Sequence, residues 1–581
     1  MPPARGALWP RFLAVVTPFF RSPARWRAIA LLALLLTFIL CLNGLNVVGS
    51  YMCRNFTTGV AERESHQAVT FALLWAGTFL ALTVVAVFKG FTEERLRLYW
   101  RQWLTRHLFE RYLSSRAYYH MTGRTDVDNP DQRITEDVRT FTEQALAILL
   151  IITNSVVTLI SFSGVLWSIT PWLVLAAVLY TLFGSVMTVL LGKRMVKLDV
   201  QQFRKEANLR YDLIQVRGHA EQVALMSGEP EEKTRLGGRL EAVVANMKAV
   251  IGLSRNISFF TTGYDYLSQL VPLLIVAPLY IHGQVEFGLV TQAVVAFGFV
   301  INAFSILVKE FQRISTFGAV IERLGCFYEA IEAGAPGEGK APIETAEDRT
   351  RIAFEGLTLV TPRDGRLLVK DLSVEVPWGQ RLLILGPSGS GRTSLLRAAA
   401  GLWTEGQGRV VRPPADESMF LPQRPYLRAG SLREQFRYGI RAPGLTDDRI
   451  LAILREIGGA TILERDGGLD AERDWANTLS LGEQQLVAFA RLLLAAPRFA
   501  FLDEPTSAVD EATARRLYGI LSRTPITFIS VASDPTLRDF HDMVLELGQD
   551  GLWTLDPAPL GNGTRAFNLV SPPRKSAARL R

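Results

Sequence analysis

A glycine-rich segment in the C-terminal part of the sequence has the composition and the setting of a phosphate-binding loop. Gly386-Pro-Ser-Gly-Ser-Gly-Arg-Thr393 follows the apolar run Arg381–Leu385 and precedes an apolar stretch that is predicted to be helical. Glycines let backbone N–H groups turn inward toward phosphate oxygens, and the N-terminus of the next helix adds a favourable dipole. The hydroxyl of Thr393 is placed to bind Mg²⁺. The segment therefore predicts a nucleotide site.

Two adjacent carboxylates follow the loop at a distance of about 110 residues. They end the apolar strand predicted over Phe499-Ala-Phe-Leu-Asp-Glu504, and Pro505-Thr-Ser-Ala-Val-Asp510 comes directly after them. Asp503 is predicted to hold Mg²⁺ through water, and Glu504 to polarise an attacking water molecule. This order of elements is typical of enzymes that hydrolyse nucleoside triphosphates.

The segment Leu479-Ser-Leu-Gly-Glu-Gln-Gln485 lies between these elements and decides the family. It resembles the signature of ATP-binding-cassette (ABC) proteins, with Ser480 and Gly482 heading a helix whose N-terminus can meet a γ-phosphate. The resemblance implies ATP and Mg²⁺ as cofactors. One cassette cannot fold this segment onto its own phosphate loop, so two cassettes are expected to sandwich ATP head to tail. Gln423 matches the glutamine loop of the family, and Asp510 matches its D-loop.

The predicted site contains three sets of residues. The catalytic set is Glu504, Gln423 and Ser533, and the Mg²⁺ set is Thr393, Gln423 and Asp503. The nucleotide-binding residues are predicted to be Gly386, Pro387, Ser388, Gly389, Ser390, Gly391, Arg392, Thr393, Ser394, Ser480, Gly482, Glu483 and Asp510.

Two of these residues depart from the family pattern. Arg392 stands where the phosphate loop of the family has lysine, and Ser533 stands where the family has its switch histidine. His541 is eight residues further on and is expected to pack structurally, away from the γ-phosphate. Three outcomes stay open: slow hydrolysis by a homodimer, repair of one composite site by a different half-transporter, or ATP acting as a gate while an ion gradient drives transport.

The first part of the chain is predicted to cross a membrane six times. The 581 residues are 49% hydrophobic and 20% charged, and the charge-free runs lie before about residue 310. A span needs about 20 apolar residues. The predicted spans are Ala28–Val48, Val69–Phe88, two within Gln144–Gly192 that are separated at Thr170-Pro171, Tyr266–Val285 and Phe287–Val308.

Positive charge is concentrated in the two long loops after spans two and four, which places these loops in the cytoplasm. Membrane orientation therefore explains the net charge of +7 better than nucleic-acid binding does. Helical stretches in the loops, Glu93–Leu113 and Met195–Leu225, predict membrane helices that continue into the cytosol, as in an exporter-type ABC protein. The break at Asp128-Asn129-Pro130 lies midway between two extensions and is a candidate coupling element. Polar residues within the spans either line a hydrophilic path or bond between helices, and they are Asn154, Thr158, Ser161, Gln269 and Asn302.

The fold class is therefore expected to be a six-span, exporter-type α-helical membrane domain followed by an α/β nucleotide-binding domain. The predicted boundaries are 1–27 for a cytosolic segment, 28–326 for the transmembrane domain, 327–350 for a linker, 351–556 for the nucleotide-binding domain and 557–581 for a basic tail. Both termini are expected in the cytoplasm.

Further motifs narrow the resemblance. Asn129-Pro-Asp-Gln-Arg, Pro422-Gln-Arg-Pro-Tyr, Asp474-Trp475 and Thr361-Pro362 are similar to the branch that joins peroxisomal fatty-acyl transporters to bacterial BacA/SbmA-like proteins. This resemblance implies ATP-driven import of a bulky hydrophilic solute, peptide or cobalamin-like, across the bacterial inner membrane. The expected partners are membrane lipid, the solute, and a second copy or a related half-transporter. A lipid or fatty-acyl exporter and an ABC channel or regulator are the alternatives. The residues identify neither the solute nor the direction.

Overall fold

A computed structural model describes residues 8–121, 129–306, 310–334, 343–362, 364–440 and 445–557. The chain divides into two compact units, Met1–Gly337 and Glu338–Arg581. The first unit is helical throughout its described residues, and the second is a mixed α/β unit.

Six helices of the first unit are long and apolar enough to cross a membrane, which confirms the predicted number of spans. The helices of this unit are α1 Leu8–Arg21, α2 Arg25–Ala61, α3 Ser65–Leu113, α4 Ala117–Met121, α5 Pro130–Gln132, α6 Val138–Ile169, α7 Pro171–Gly218, α8 Ala220–Leu225, α9 Glu229–Ile281, α10 Phe287–Phe304 and α11 Phe311–Gly334. The spans belong to α2, α3, α6, α7, α9 and α10.

Several spans continue far beyond the apolar window that predicts them. Helix α3 has 49 residues and α9 has 53, which correspond to about 75–80 Å against the ~30 Å of a bilayer core. The stretch Glu93–Leu113 lies wholly within α3, as expected for a helical extension. Thr170 has an extended backbone and separates α6 from α7, so the predicted break is also confirmed.

A buried carboxylate holds the start of α6 against α11. Asn129 has a left-handed backbone, and the chain then runs through α5 and one wide helical turn, Arg133–Asp137, into α6. Asp137 is 3% exposed and pairs with Arg133 at 2.8 Å and with Arg323 of α11 at 2.6 Å. This charge cluster therefore fixes the segment around the Asn-Pro break to the last helix of the unit.

Polar side chains of α2 bond to neighbouring helices. Asn43 donates to Asn154 at 3.1 Å and accepts from Thr158 at 2.7 Å, while Gln292 of α10 donates to Ser50 at 3.3 Å. For Asn154 and Thr158, two of the polar residues noted in the sequence, the structure thus shows interhelical hydrogen bonds.

The start of α10 packs closely on α2 at Gly288. The backbone N–H of Gly288 donates to the Thr58 hydroxyl at 3.2 Å, and Glu286 pairs with Arg54 at 3.2 Å. A Cβ atom on Gly288 would collide with the carbonyl oxygen of Arg54. The absence of a side chain at Gly288 therefore lets the two helices approach closely here.

The second unit is built on a six-stranded sheet in the order β12-β11-β4-β10-β9-β6, beside sheets ordered β1-β5-β2-β3 and β7-β8. The strands are β1 Ile343–Glu347, β2 Arg351–Val360, β3 Leu367–Pro377, β4 Leu382–Leu385, β5 Gly406–Arg412, β6 Ser418–Leu421, β7 Ala429–Ser431, β8 Glu472–Asp474, β9 Phe499–Asp503, β10 Thr527–Val531, β11 Met543–Leu547 and β12 Trp553–Pro557. The helices are α12 Arg392–Ala399, α13 Leu432–Arg437, α14 Asp447–Ile457, α15 Ala460–Asp466, α16 Trp475–Thr478, α17 Leu481–Ala495 and α18 Glu511–Leu521.

The region predicted as a linker, 327–350, contains regular structure at both ends. Helix α11 continues to Gly334 because Phe327, Tyr328 and Ile331 are buried in the core of the first unit. Strand β1 pairs in parallel with β5 from Ile343 onward. The predicted basic tail from Pro557 begins at the last residue of β12 and otherwise lies outside the described residues.

Candidate active site

Four neighbouring parallel strands bring the predicted site residues to one edge of the large sheet. Strand β10 pairs in parallel with β4 and β9, and β9 pairs in parallel with β6. The carboxyl ends of parallel strands lie at the same edge, which is where open α/β sheets bind ligands. The phosphate loop follows β4, Ser533 follows β10, Asp503 ends β9 and Gln423 follows β6.

The phosphate loop has the backbone that its glycines predict. Gly386, Gly389 and Gly391 have φ values of 152°, 80° and 96°. A Cβ atom on Gly386 would lie 2.5 Å from the carbonyl oxygen of Leu547, so the loop has no room for a side chain there. Ser390 is 7% exposed, and its hydroxyl has no hydrogen-bond partner among the described residues. A buried hydroxyl in this position fits a phosphate oxygen.

The remaining loop residues complete a tight turn into α12. The Pro387 carbonyl accepts from the Ser390 N–H at 3.2 Å, and Ser388 is exposed. Arg392 is the first residue of α12, and Thr393 and Ser394 lie in its first turn. The loop therefore presents backbone N–H groups and hydroxyls at a helix N-terminus, an arrangement that suits a polyphosphate.

The predicted Mg²⁺ residues from two elements are in contact. The Thr393 hydroxyl donates to Asp503 Oδ1 at 3.1 Å. Burial, aided by the charge of Glu504, raises the pKa of Asp503 above its ordinary value. Hydroxyl and carboxylate oxygens are hard donors that fit Mg²⁺, which in such sites neutralises the charge of the phosphates.

Glu504 receives hydrogen bonds on both carboxylate oxygens. Arg392 Nη2 lies 3.1 Å from Oε1, and the Ser533 hydroxyl donates to the same oxygen at 2.9 Å. Gln423 Nε2 donates to Oε2 at 2.9 Å. The backbone of Glu504 is left-handed, with a φ of 45°, a conformation that costs about 1 kcal/mol or more in a non-glycine residue. The carboxylate of the predicted base is therefore held in one orientation.

The signature segment forms the capped helix start that its sequence predicts. Ser480 caps α17, since its hydroxyl accepts from the Glu483 N–H while the Glu483 carboxylate accepts from the Ser480 N–H. A Cβ atom on Gly482 would lie 2.6 Å from the Ala508 carbonyl oxygen, so this turn packs closely on the segment after Glu504. Asp510, the predicted D-loop residue, caps α18 by accepting from the Thr513 N–H at 2.8 Å.

Gln485 connects three of the predicted elements and was missed as a site residue. Its side chain is 1% exposed and donates to the Gln423 carbonyl at 3.1 Å and to Ser507 at 3.1 Å. It also accepts from the Ala508 N–H at 3.0 Å. The signal in the sequence was an amide on an otherwise apolar helix, which requires buried partners. Arg491, two turns later and also buried, donates to the Tyr426 carbonyl at 2.8 Å.

His541 lies in the core of the nucleotide-binding unit. Its ring is 5.1 Å from that of Phe528 and 5.6 Å from that of Tyr518. Burial lowers its pKa to about 4, because the hydrogen bond to the Leu537 carbonyl offsets only part of the effect of burial, and the nearby Arg381 lowers the pKa further. The imidazole therefore packs as a neutral core residue, as expected.

Comparisons with known proteins agree with both units. Residues 16–281 match the family described as ABC transporter transmembrane region 2, and residues 369–507 match the ABC transporter family. An uncharacterised ABC transporter ATP-binding protein of Synechocystis is 41% identical over 92% of this chain and 82% of its own length. The ABC transporter D family member 2, chloroplastic, of Arabidopsis thaliana is 36% identical over 95% and 87%.

A human relative and a solved structure are also ABC transporters similar to this chain. The lysosomal cobalamin transporter of Homo sapiens is 30% identical over 94% of this chain and 95% of its own length. The structure of a bacterial Atm1-family ABC exporter with ATP bound covers 91% of this chain and 94% of its own, with a TM-score of 0.71 and 19% identity. At that identity the likeness concerns the fold.

Proposed function

The chain belongs to the ABC transporter family, as a half-transporter with one transmembrane region and one ATP-binding domain, and we propose that two copies of it import a bulky hydrophilic solute, peptide or cobalamin-like, across the bacterial inner membrane. It is an ABC-type ATPase and a multi-span membrane protein. What is proposed is the identity of the solute, the direction of transport, the pairing of two copies, the location in the bacterial inner membrane and the cytoplasmic position of both termini.

The convergence of Thr393, Asp503, Glu504 and Gln423 at one sheet edge carries the energetic part of the proposal. These side chains supply hard donors for Mg²⁺ and a positioned carboxylate for water activation. The capped helix start at Ser480 is the surface that we expect to face the nucleotide of the second copy. This arrangement supports transport powered by hydrolysis at paired sites.

The solute is proposed from the relatives. The human relative is named a lysosomal cobalamin transporter, and cobalamin is a large polar molecule. The motif resemblance to BacA/SbmA-like proteins adds peptides as the second class. The positive charge of the loops after spans two and four supports the proposed cytoplasmic position of those loops.

One observation favours a second candidate, in which ATP gates transport and an ion gradient drives it. Arg392, the only cation of the phosphate loop, is paired with Glu504 at 3.1 Å. A base that stays in this ion pair throughout the cycle would hydrolyse ATP weakly. The same transport assay distinguishes the two candidates.

The test uses cells that lack their own importers for cobalamin and for labelled peptide. The full chain is expressed as wild type, as Glu504→Gln and as the matched control Glu456→Gln, whose exposed side chain lies on α14. We expect uptake of one solute by the wild type and the control, and loss of uptake with Glu504→Gln. Vanadate-sensitive ATPase of the purified proteins is expected to follow the same order.

The other outcomes are equally informative. Uptake that survives Glu504→Gln but stops with a protonophore would establish the gated, ion-driven candidate. No uptake of either solute, together with ATP-dependent export of a fatty-acyl compound from loaded vesicles, would overturn import and favour the lipid exporter.

A further inference from the structure

The side chain of Arg392 connects the phosphate loop to the end of β10. Its Nη1 donates to the Ala532 carbonyl at 2.8 Å and to the Ser533 hydroxyl at 3.1 Å. Its Nη2 pairs with Glu504 at 3.1 Å, and only 12% of the side chain is exposed. The planar fork of a guanidinium can address several acceptors at fixed angles, whereas an ammonium group is a single point charge on a flexible stem. The arrangement therefore depends on arginine.

Ser533 contacts both the guanidinium and the carboxylate. Its hydroxyl accepts from Arg392 and donates to Glu504 Oε1 at 2.9 Å, so it satisfies both neighbours at once. The guanidinium is thus the cation next to Glu504, and the serine hydroxyl bridges the pair.

We propose that Arg392 is the positioning residue of Glu504. Arg392 and Ser533 replace the lysine and the histidine of the family pattern as one coupled exchange, in which each replacement depends on the other. Arg392 holds the β10 end and orients the carboxylate, while the Ser533 hydroxyl bridges the guanidinium and the carboxylate. Three of the five guanidinium N–H groups serve these contacts within the described part of the chain. The other two remain for a phosphate oxygen.

This inference rests on the ATPase site of the proposed function but does not depend on the solute or the direction. Hydrolysis can therefore be measured apart from uptake. If uptake fails but the effects of substituting residues 392 and 533 on hydrolysis depend on each other, the proposed solute is wrong and the exchange stands. If uptake succeeds but the two substitutions affect hydrolysis independently, the exchange is wrong and the transport proposal stands.

The test is a double-substitution cycle in the full purified chain with Arg392→Lys, Ser533→His and both together. Each single variant is expected to lower kcat about 10-fold or more with little change in KM, because a positioned base contributes about 10²–10⁴ to the rate. The double variant, which restores the lysine–histidine pattern of the family, is expected to recover to within about 3-fold of wild type. Arg523→Lys and Thr536→His, at exposed positions, are the matched controls.

Two further measurements do not depend on activity. Without nucleotide, each single variant is expected to lower the melting temperature by about 2–4 °C, and the double variant by less than the sum. The affinity for a fluorescent ATP analogue shows whether each site remains folded. Ser533→Ala, which deletes the bridge without adding bulk, is expected to lower kcat by only about 3-fold because the Arg392–Glu504 pair remains.

Two results in the same assays would overturn the proposed exchange. Losses in kcat and melting temperature that simply add in the double variant would show that residues 392 and 533 act independently. A wild-type chain without Glu504-dependent hydrolysis would also overturn the exchange, since Arg392 would then not position a working base.

Discussion

The Thr393 hydroxyl and the Asp503 carboxylate lie 3.1 Å apart, although 110 residues separate them in the chain. This contact joins the first turn of α12 to the end of β9. It places a hydroxyl and a carboxylate side by side at the sheet edge, and burial raises the pKa of that carboxylate.

Asp503→Asn is expected to remove hydrolysis and to stabilise the fold. Because the folded-state pKa of Asp503 is raised, the ionised form is disfavoured by folding, and stability falls as the pH rises from the unfolded value through the folded one. Above the folded-state pKa the wild type carries this cost, and the amide does not. The melting temperature without Mg²⁺ or nucleotide should rise, while ATPase is lost. Asp416→Asn, at an exposed position, should change neither.

Thr158→Val should weaken the contact between α2 and α6. The hydroxyl of Thr158 donates to Asn43 at 2.7 Å, and interhelical hydrogen bonds within membranes contribute about 0.6 kcal/mol on average. We expect a small loss of thermal stability in detergent. Thr37→Val is the control, because the Thr37 hydroxyl is exposed and donates to Ala33 of its own helix. Equal effects of the two variants would contradict an interhelical role.

Asp137→Asn should destabilise the membrane unit much more strongly. The carboxylate is 3% exposed and pairs with Arg133 and Arg323. Removing one partner of a buried ion pair costs about 3–5 kcal/mol, and we expect about 2–4 because the Arg323 side chain is 40% exposed. Glu136→Gln removes a neighbouring carboxylate that is 55% exposed, and should cost less than about 1 kcal/mol. Similar melting temperatures for both variants would refute this cluster.

His541→Phe should reduce the loss of stability in acid. The pKa of His541 is depressed to about 4 in the folded protein, so below its ordinary value of 6.5 the unfolded chain binds a proton that the folded chain does not. Stability should therefore fall between about pH 6.5 and 4, by up to about 3 kcal/mol. The melting temperature of His541→Phe should change less with pH across this range than that of the wild type. His219→Gln, whose ring is exposed, should keep the wild-type dependence on pH.

Features that depend on local sequence could be predicted. The apolar runs predict the six spans, and the glycines and carboxylates predict a nucleotide site with its phosphate loop and its acidic residues. The contact between Arg392 and Ser533 could not, because these residues are 141 positions apart and their meeting depends on strand order and side-chain reach. The extension of α11 to Gly334 depends in the same way on long-range packing, here of Phe327 and Ile331.

Prediction from the sequence has the same limit at the signature segment. The motif identifies Ser480 and Gly482 as the start of a helix, and the capping box confirms that start. The bonds of Gln485 to Gln423 and Ser507 join segments that are distant in the sequence, so its role emerges only in three dimensions.

The close approach at Gly288 makes position 288 intolerant of any larger residue. A Cβ atom there would collide with the carbonyl oxygen of Arg54 and lie 2.5 Å from the Thr58 hydroxyl, so even alanine would force α2 and α10 apart.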